Sequence, residues 1–320
     1  IWARRMMWEG WYGLRQDDRM LHAGAFNWTF TLGTGLLDPW SRGATALIPG
    51  DGTTPADLGK LVADHDATIF AGAPGVFRQA LRSWPEKRAK RLRHGLSAGE
   101  ALPASLRTKW ETRTATMVHE AFGQSDCSTF ISGAPSRPAP KGTMGYAQPG
   151  RRTALLSNEG QDVEPGQVGT IAIHRSDPGL MLGYLTPNGL EAPDEWYKTG
   201  DMASLAPDNA LCYHGRGDDL MNAGGFRVAP KEVEDVVLLH PDIDDVAVIE
   251  RRVSAETTVI TAFFVSQSSV PESEVLNHCA GHLARYKQPR AAVQLDSLPR
   301  GGNGKLLRRV LRDKFGVSDR

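Results

Sequence analysis

From Asp17 to Ile131 short apolar runs alternate with stretches of helical periodicity, and this alternation limits the fold more than any other feature. Ala44–Ile48, Ala67–Ala71, Leu92–Ser97 and Thr116–Glu120 read as buried strands. Pro55–Asp64, Pro74–Leu81 and Pro103–Thr112 read as helices. Each opens on a proline, whose missing N–H is lost at no cost in a first turn. Leu58, Leu61 and Val62 share one helical face, as do Val76, Phe77 and Ala80. Strands alternating with helices imply a layered, mostly parallel sheet. Ligands of such sheets bind beyond the carboxyl ends of the strands. Gly99-Glu100-Ala101 follows one strand, and Phe122-Gly123-Gln124-Ser125-Asp126 follows another. Gly99 lets a flat group approach the backbone, while Ser125 and Asp126 offer a hydroxyl and a carboxylate to a phosphate or its Mg²⁺. Taken alone, both segments read more readily as capped strand-to-helix loops.

Composition shifts at Pro135-Ser136-Arg137-Pro138-Ala139-Pro140, a cluster of chain breakers. Short β-runs follow, Thr153–Ser157 and Val168–His174, consistent with a small barrel-like β-subdomain. It ends in a stretch from Tyr197 to Arg227, where two β-period runs flank Pro207-Asp208-Asn209. Proline fixes φ, and Asp and Asn bond to nearby backbone, so this tripeptide predicts a hairpin turn. Asp201 then enters the first strand as Arg216 leaves the second, which brings the two side by side. The residues alone fit two readings equally: a surface ion pair, or a carboxylate and guanidinium that hold a ribose or phosphate.

Beyond Asp218 the pattern predicts a separate small α/β unit. Pro230–Leu239 and Pro271–Ala284 read as helices, and Val246–Arg252, Val259–Val265 and Ala291–Leu295 as strands. Lys305–Phe315 reads as a closing basic helix. A lysine at a helix start faces the positive end of the macrodipole and favours an anion; the same residue also suits a flexible surface turn. His278 and His282 have metal-ligand spacing, but without a third ligand a solvent-flanking face is the better reading.

The chain has 320 residues, 37 basic and 37 acidic, so no net charge draws it to nucleic acid or to an anionic membrane. No apolar run reaches the length of a membrane span. Three scattered cysteines, Cys127, Cys212 and Cys279, fit reduced thiols in the cytoplasm better than a disulfide framework. Nothing in the sequence fixes the oligomeric state.

Tyr197-Lys198-Thr199-Gly200-Asp201, Gly215-Arg216-Gly217-Asp218-Asp219 and Pro299 through Gly304-Lys305 occur in the order seen in the adenylate-forming superfamily. The chain resembles its acyl- and aryl-CoA synthetases, closest to the acetyl- and medium-chain branch. The resemblance implies an incomplete large domain (residues 1–134), a β-rich subdomain (135–217) and a mobile C-terminal α/β lid (218–320). It implies ATP, Mg²⁺ and coenzyme A as cofactors and a small carboxylic acid as substrate. Gly99, Glu100 and Ala101 would line the adenine, with Phe122, Gln124, Ser125 and Arg227 also near the nucleotide. Asp201 and Arg216 would hold the ribose, Asp126 would carry Mg²⁺, and Lys305 would bridge the carboxylate and the α-phosphate. Asp218 falls on the hinge, and Gly224 and Gly225 on the pantetheine path. Trp28, Phe122 and Gly123 fall on the acyl pocket, where a glycine in place of tryptophan implies room for an acid larger than acetate.

The family's Ser/Thr/Gly-rich phosphate loop has no counterpart here; Leu32-Gly33-Thr34-Gly35-Leu36 lacks a lysine and reads as close packing. The chain as given therefore reads as an N-terminally truncated piece expected to adenylate poorly. Two other readings remain: an adenylation domain that loads a carrier protein, and a nucleotide-binding module without turnover.

Overall fold

The structure, a computed structural model, describes residues 2–85, 89–223, 226–253, 258–301 and 306–315. The chain forms two compact units, Ile1–Thr199 with Ala203–Tyr213, and Gly200–Met202 with His214–Arg320.

The first unit contains a seven-stranded sheet in the order β2-β1-β3-β4-β5-β6-β7. Its strands are β1 (Arg19–His22), β2 (Thr45–Leu47), β3 (Ile69–Gly72), β4 (His94–Ala98), β5 (Met117–Gln124), β6 (Ser128–Ser132) and β7 (Tyr146–Ala147). β1 to β5 pair in parallel, whereas β6 and β7 are antiparallel. Every residue of β3 and β4 is buried, as expected for central strands covered on both faces. On one face the helices Leu58–Asp64, Pro74–Arg82 and Ala104–Thr114 pack an aromatic nest of Phe70, Phe77, Trp84 and Trp110. Met7, Trp11, Tyr12, Met20 and Phe30 fill the other face.

A second sheet runs β13-β12-β9-β8, from β8 (Thr153–Leu156), β9 (Gly169–His174), β12 (Trp196–Leu205) and β13 (Leu211–Arg216). The short hairpin β10 (Tyr184–Thr186) and β11 (Gly189–Glu191) precedes β12. The turn between β12 and β13 forms as the sequence predicts: Asn209 has φ of 65°, and Asp208 Oδ1 accepts the Ala210 N–H at 3.2 Å.

The second unit holds the hairpin β14 (Met221–Ala223) and β15 (Phe226–Val228), then the three-stranded sheet β16 (Asp245–Arg252), β17 (Thr258–Val265) and β18 (Ala291–Gln294). Helices Pro230–Val237 and Glu272–Ala280 bury Val233, Val237, Val275 and Cys279 against it. The last helix starts at Arg308 rather than at the predicted Lys305. Leu306 instead bridges to Arg300, and the Leu307 N–H bonds the Pro299 carbonyl at 2.9 Å, so these backbone groups serve a loop. The macrodipole argument for Lys305 lapses with that boundary, and Lys305 itself lies outside the described residues. His278 Nε2 bonds the Val236 carbonyl at 2.9 Å, and among the described residues no cluster suits a metal. No described helix is long and apolar enough to cross a membrane.

Several buried polar groups tie the first unit together. Asp18 bonds Thr68 Oγ1 and the Arg93 guanidinium, both at 2.6 Å, joining the amino ends of β1, β3 and β4. Burial would raise its carboxyl pKa, but hydrogen bonds from Arg93, Thr68 and the Arg15 N–H outweigh this and hold it low. Burial pushes the imidazole of His94 down to about 3 and that of His119 down to about 4, with the His119 ring adding to the shift at His94 and Arg107 to that at His119. Between those values and the ordinary 6.5, the unfolded chain binds more protons than the native one. Stability must therefore fall as pH drops through that window, and Asp18 pushes in the same direction at lower pH. Thermal melting from pH 7 to 4.5 is expected to show a steady decline that His119→Leu makes shallower. A flat wild-type profile would contradict the buried, uncharged state of these imidazoles.

Candidate active site

The parallel register that sets Ala98 beside Ala121 brings the ends of β4 and β5 to one edge of the sheet. Gly99 follows β4 with φ of +100°, a conformation that disfavours any side chain. A Cβ there would also lie 2.7 Å from Cη2 of Trp28, whose indole stands on that side of the otherwise exposed glycine. Trp28 is half-buried and packs edge-on against Phe30, with ring centroids 5.1 Å apart. Trp28 and Gly99 are thus brought together, with Glu100 half-buried and Ala101 exposed in the same loop.

Along β5 the alternation of side chains sends Ala121 into the Trp28 cluster and Phe122 into a different one. Phe122 packs against Phe130 and Tyr213, with centroids 5.5 and 5.4 Å away. The two aromatic walls expected of one acyl pocket therefore belong to separate packed clusters. The pairing with β6 shifts register between Phe122 and Gly123. A Cβ at 123 would overlap the Ser128 carbonyl and lie 2.5 Å from Thr129 Cα. A side chain at 123 would therefore meet the backbone of β6.

After the bulge, Gln124 Nε2 donates to the Thr199 carbonyl at 2.9 Å. Ser125 is exposed and Asp126 half-buried. Asp126 Oδ2 accepts the Tyr197 hydroxyl at 2.9 Å, and its main-chain carbonyl accepts the Met181 N–H at 2.7 Å. The Tyr197 phenol is held well above its ordinary pKa, first by desolvation and then by its bonds to Tyr184 and Asp126, so it remains a donor. Its role escaped the sequence reading although it opens the Y-x-T-G-D motif, because a periodic pattern does not show which distant carboxylate a phenol meets.

In the second unit the hairpin delivers the predicted pair. Asp201 is buried, and its Oδ2 lies 3.6 Å from Nη1 of the half-exposed Arg216. Arg216 Nε also donates to Asp218 Oδ1 at 2.8 Å, and this bond, ahead of the opposing effect of burial, holds the Asp218 carboxyl low. Gly224 and Gly225 lie outside the described residues, as does the side chain of Arg227, whose backbone belongs to β15.

Since the Gly123 Cβ direction meets backbone, Gly123→Ala should strain the bulge and destabilise the fold by about 1–3 kcal/mol, the usual range for overpacking. Chemical denaturation measures this, and an unchanged midpoint would show that the bulge relaxes freely.

The family profile described as AMP-binding enzyme matches residues 1–185, and that described as AMP-binding enzyme C-terminal domain matches 232–305. The chain is 28% identical over 310 residues to a benzoate–CoA ligase of Thauera aromatica, covering 94% of this chain and 59% of the relative. It is 32% identical over 281 residues to a long-chain-fatty-acid–CoA ligase of Yersinia pestis, covering 83% of this chain and 50% of the relative. Among solved structures, the anthranilate CoA ligase AuaEII in complex with anthranoyl-AMP superposes with a TM-score of 0.89 at 27% identity, covering 98% of this chain and 63% of that one. The chain thus spans between half and two thirds of the length of these proteins. With one profile covering more than half of its length and the second covering most of its C-terminal part, the chain belongs to the AMP-binding enzyme family.

Proposed function

We propose that the protein bearing this chain is an acid–thiol ligase that works through an acyl-adenylate. A carboxylate oxygen attacks the α-phosphorus of ATP and pyrophosphate leaves; the thiol of coenzyme A then attacks the acyl carbonyl and AMP leaves. The observation that carries this reading is the Asp201–Arg216 pair, a buried carboxylate facing a half-exposed guanidinium in a chain of AMP-binding ancestry. Such a pair suits the two hydroxyls of a ribose, and in water alone it would gain little from being there. Gly99, Glu100 and Ala101 form the adenine shelf in this reading, with Phe122, Gln124, Ser125 and Arg227 on the nucleotide. Asp218 is the hinge, and Gly224 and Gly225 line the path of the pantetheine.

Asp126 is the residue for Mg²⁺. No described cluster offers three protein ligands, which fits an ion that arrives on ATP and takes one carboxylate plus phosphate oxygens and water. That ion would neutralise phosphate charge; Asp126 and Ser125 would orient it. Three free thiols are consistent with a reducing compartment, and we place the protein in the cytoplasm on that chemistry.

Lys305 would contact the transferred groups mainly in the first transition state. Lys305→Ala in the full-length protein should slow acyl-adenylate formation about a hundredfold or more, while thioester formation from supplied acyl-adenylate changes far less. Equal losses in the two half-reactions would make Lys305 structural.

For the acid we propose a medium-chain or aromatic carboxylate larger than acetate. The half-buried indole of Trp28 above Gly99 supplies an apolar wall, and two similar proteins carry benzoate and anthranilate in their names. In a substrate panel, benzoate or hexanoate should exceed acetate in kcat/KM by at least about tenfold, and Trp28→Ala should shrink that ratio. Preference for acetate, or a ratio indifferent to Trp28→Ala, would remove Trp28 from the pocket.

A further inference from the structure

A closed ring of contacts surrounds the backbone of Asp126, and none of the roles above uses it. Arg151 and Asp177 form an ion pair whose side chains are both fully buried, with Arg151 Nε 3.0 Å from Asp177 Oδ1. Arg151 Nη2 donates to the Cys127 carbonyl at 2.8 Å and Nη1 to the Thr129 carbonyl at 2.9 Å. The guanidinium therefore fixes the chain immediately after Asp126. Asp177 organises the opposite side: Oδ1 accepts the Gly179 N–H at 2.7 Å and Oδ2 the Arg152 N–H at 2.6 Å. The turn so formed presents the Met181 N–H to the Asp126 carbonyl at 2.7 Å. The ring runs from Asp126 to Cys127, Arg151, Asp177, Gly179, Met181 and back to Asp126.

A planar fork is well suited to this task. Its donors leave in fixed directions, so two carbonyls bound to it are held at a fixed separation. Placing it in a fully desolvated site strengthens every bond it makes. Met181 holds the carbonyl of Asp126, and Tyr197 holds one carboxylate oxygen. What remains adjustable is the path of the main chain through Asp126, and that is what the ion pair restrains.

We infer that Arg151 and Asp177 are positioning residues for Asp126, aiming its carboxylate at the divalent cation of the nucleotide substrate. The inference rests on the reading of Asp126 as the cation-binding carboxylate. Neither residue touches substrate; each acts through the backbone of residues 126–129 and 177–181.

The test uses the full-length protein with Arg151→Lys, Asp177→Asn and, as a reference, Asp126→Asn. Pyrophosphate exchange is followed against Mg²⁺ concentration, and Mn²⁺ binding in the presence of ATP by electron paramagnetic resonance. Supporting groups behind a metal ligand commonly change metal affinity by about ten- to a hundredfold. Half-saturating Mg²⁺ should therefore rise about tenfold in both brace variants, Mn²⁺ binding should weaken in parallel, and thioester formation from supplied acyl-adenylate should stay within about twofold. The apolar double variant Arg151→Met/Asp177→Leu is run alongside, because it leaves no unpaired buried charge to unfold the protein. It too lacks the fork and should show the same cation shift. If Asp126→Asn shifts the Mg²⁺ dependence and the folded brace variants do not, the inference is overturned and the reading of Asp126 survives. If Asp126→Asn leaves it unchanged, that reading fails and the inference falls with it.

Discussion

The pairing of Ala98 with Ala121 decides where the first unit can do chemistry. Parallel strands in register end together, so the loops after β4 and β5 must emerge at the same edge of the sheet. Each loop then has to turn sharply in a crowded place. Gly99 does so with a positive φ and the Trp28 indole on the side a Cβ would take. β5 does so with a bulge at Gly123 that lets β6 return antiparallel at close range. Bulges commonly re-aim side chains at functional edges. Here the bulge stands between Phe122, which packs into the core of the β-rich region, and the exposed Ser125 with the half-buried Asp126.

Buried charge recurs through the first unit. Asp38 and Arg4, Asp18 and Arg93, and Arg151 and Asp177 are paired across 34, 75 and 26 residues of sequence. Removing one partner from a pair of this kind typically costs about 3–5 kcal/mol, chiefly because the other charge is left stranded. An apolar replacement of both partners often leaves stability unchanged. Such pairs therefore fix geometry more than they add stability, and each of these ties together segments far apart in sequence. The neutral buried imidazoles of His94 and His119 belong to the same economy, since burial favours them uncharged.

The layered sheet was legible because strand–helix periodicity survives in a single sequence, and the hairpin because Pro207-Asp208-Asn209 is a turn for mechanical reasons. The Asp201–Arg216 pair followed from that hairpin. Other features had no local signal. Arg151 and Asp177 are charges in loops just outside the β-runs, and only the tertiary fold shows that they meet. Gly123 was read by what its missing side chain might vacate, although a glycine is as often required by what backbone must approach. Nor does the sequence show that Phe122, expected as a second wall beside Trp28, packs into a different cluster from Ala121 and Trp28. β1 and β6 were missed because each is short, flanked by polar residues and defined by pairing rather than by pattern.

The proposed chemistry makes a demand that can be followed atom by atom. If a carboxylate oxygen attacks the α-phosphorus and the acyl group later passes to a thiol, the attacked bond breaks at carbon and that oxygen stays on the phosphate. The most direct measurement gives the full-length protein ¹⁸O-labelled benzoate with ATP, Mg²⁺ and coenzyme A, and determines by mass spectrometry where the label goes. The account predicts one ¹⁸O in the AMP released, in proportion to thioester formed. Thioester formed with unlabelled AMP, or with label in inorganic phosphate and ADP as the other product, would contradict it.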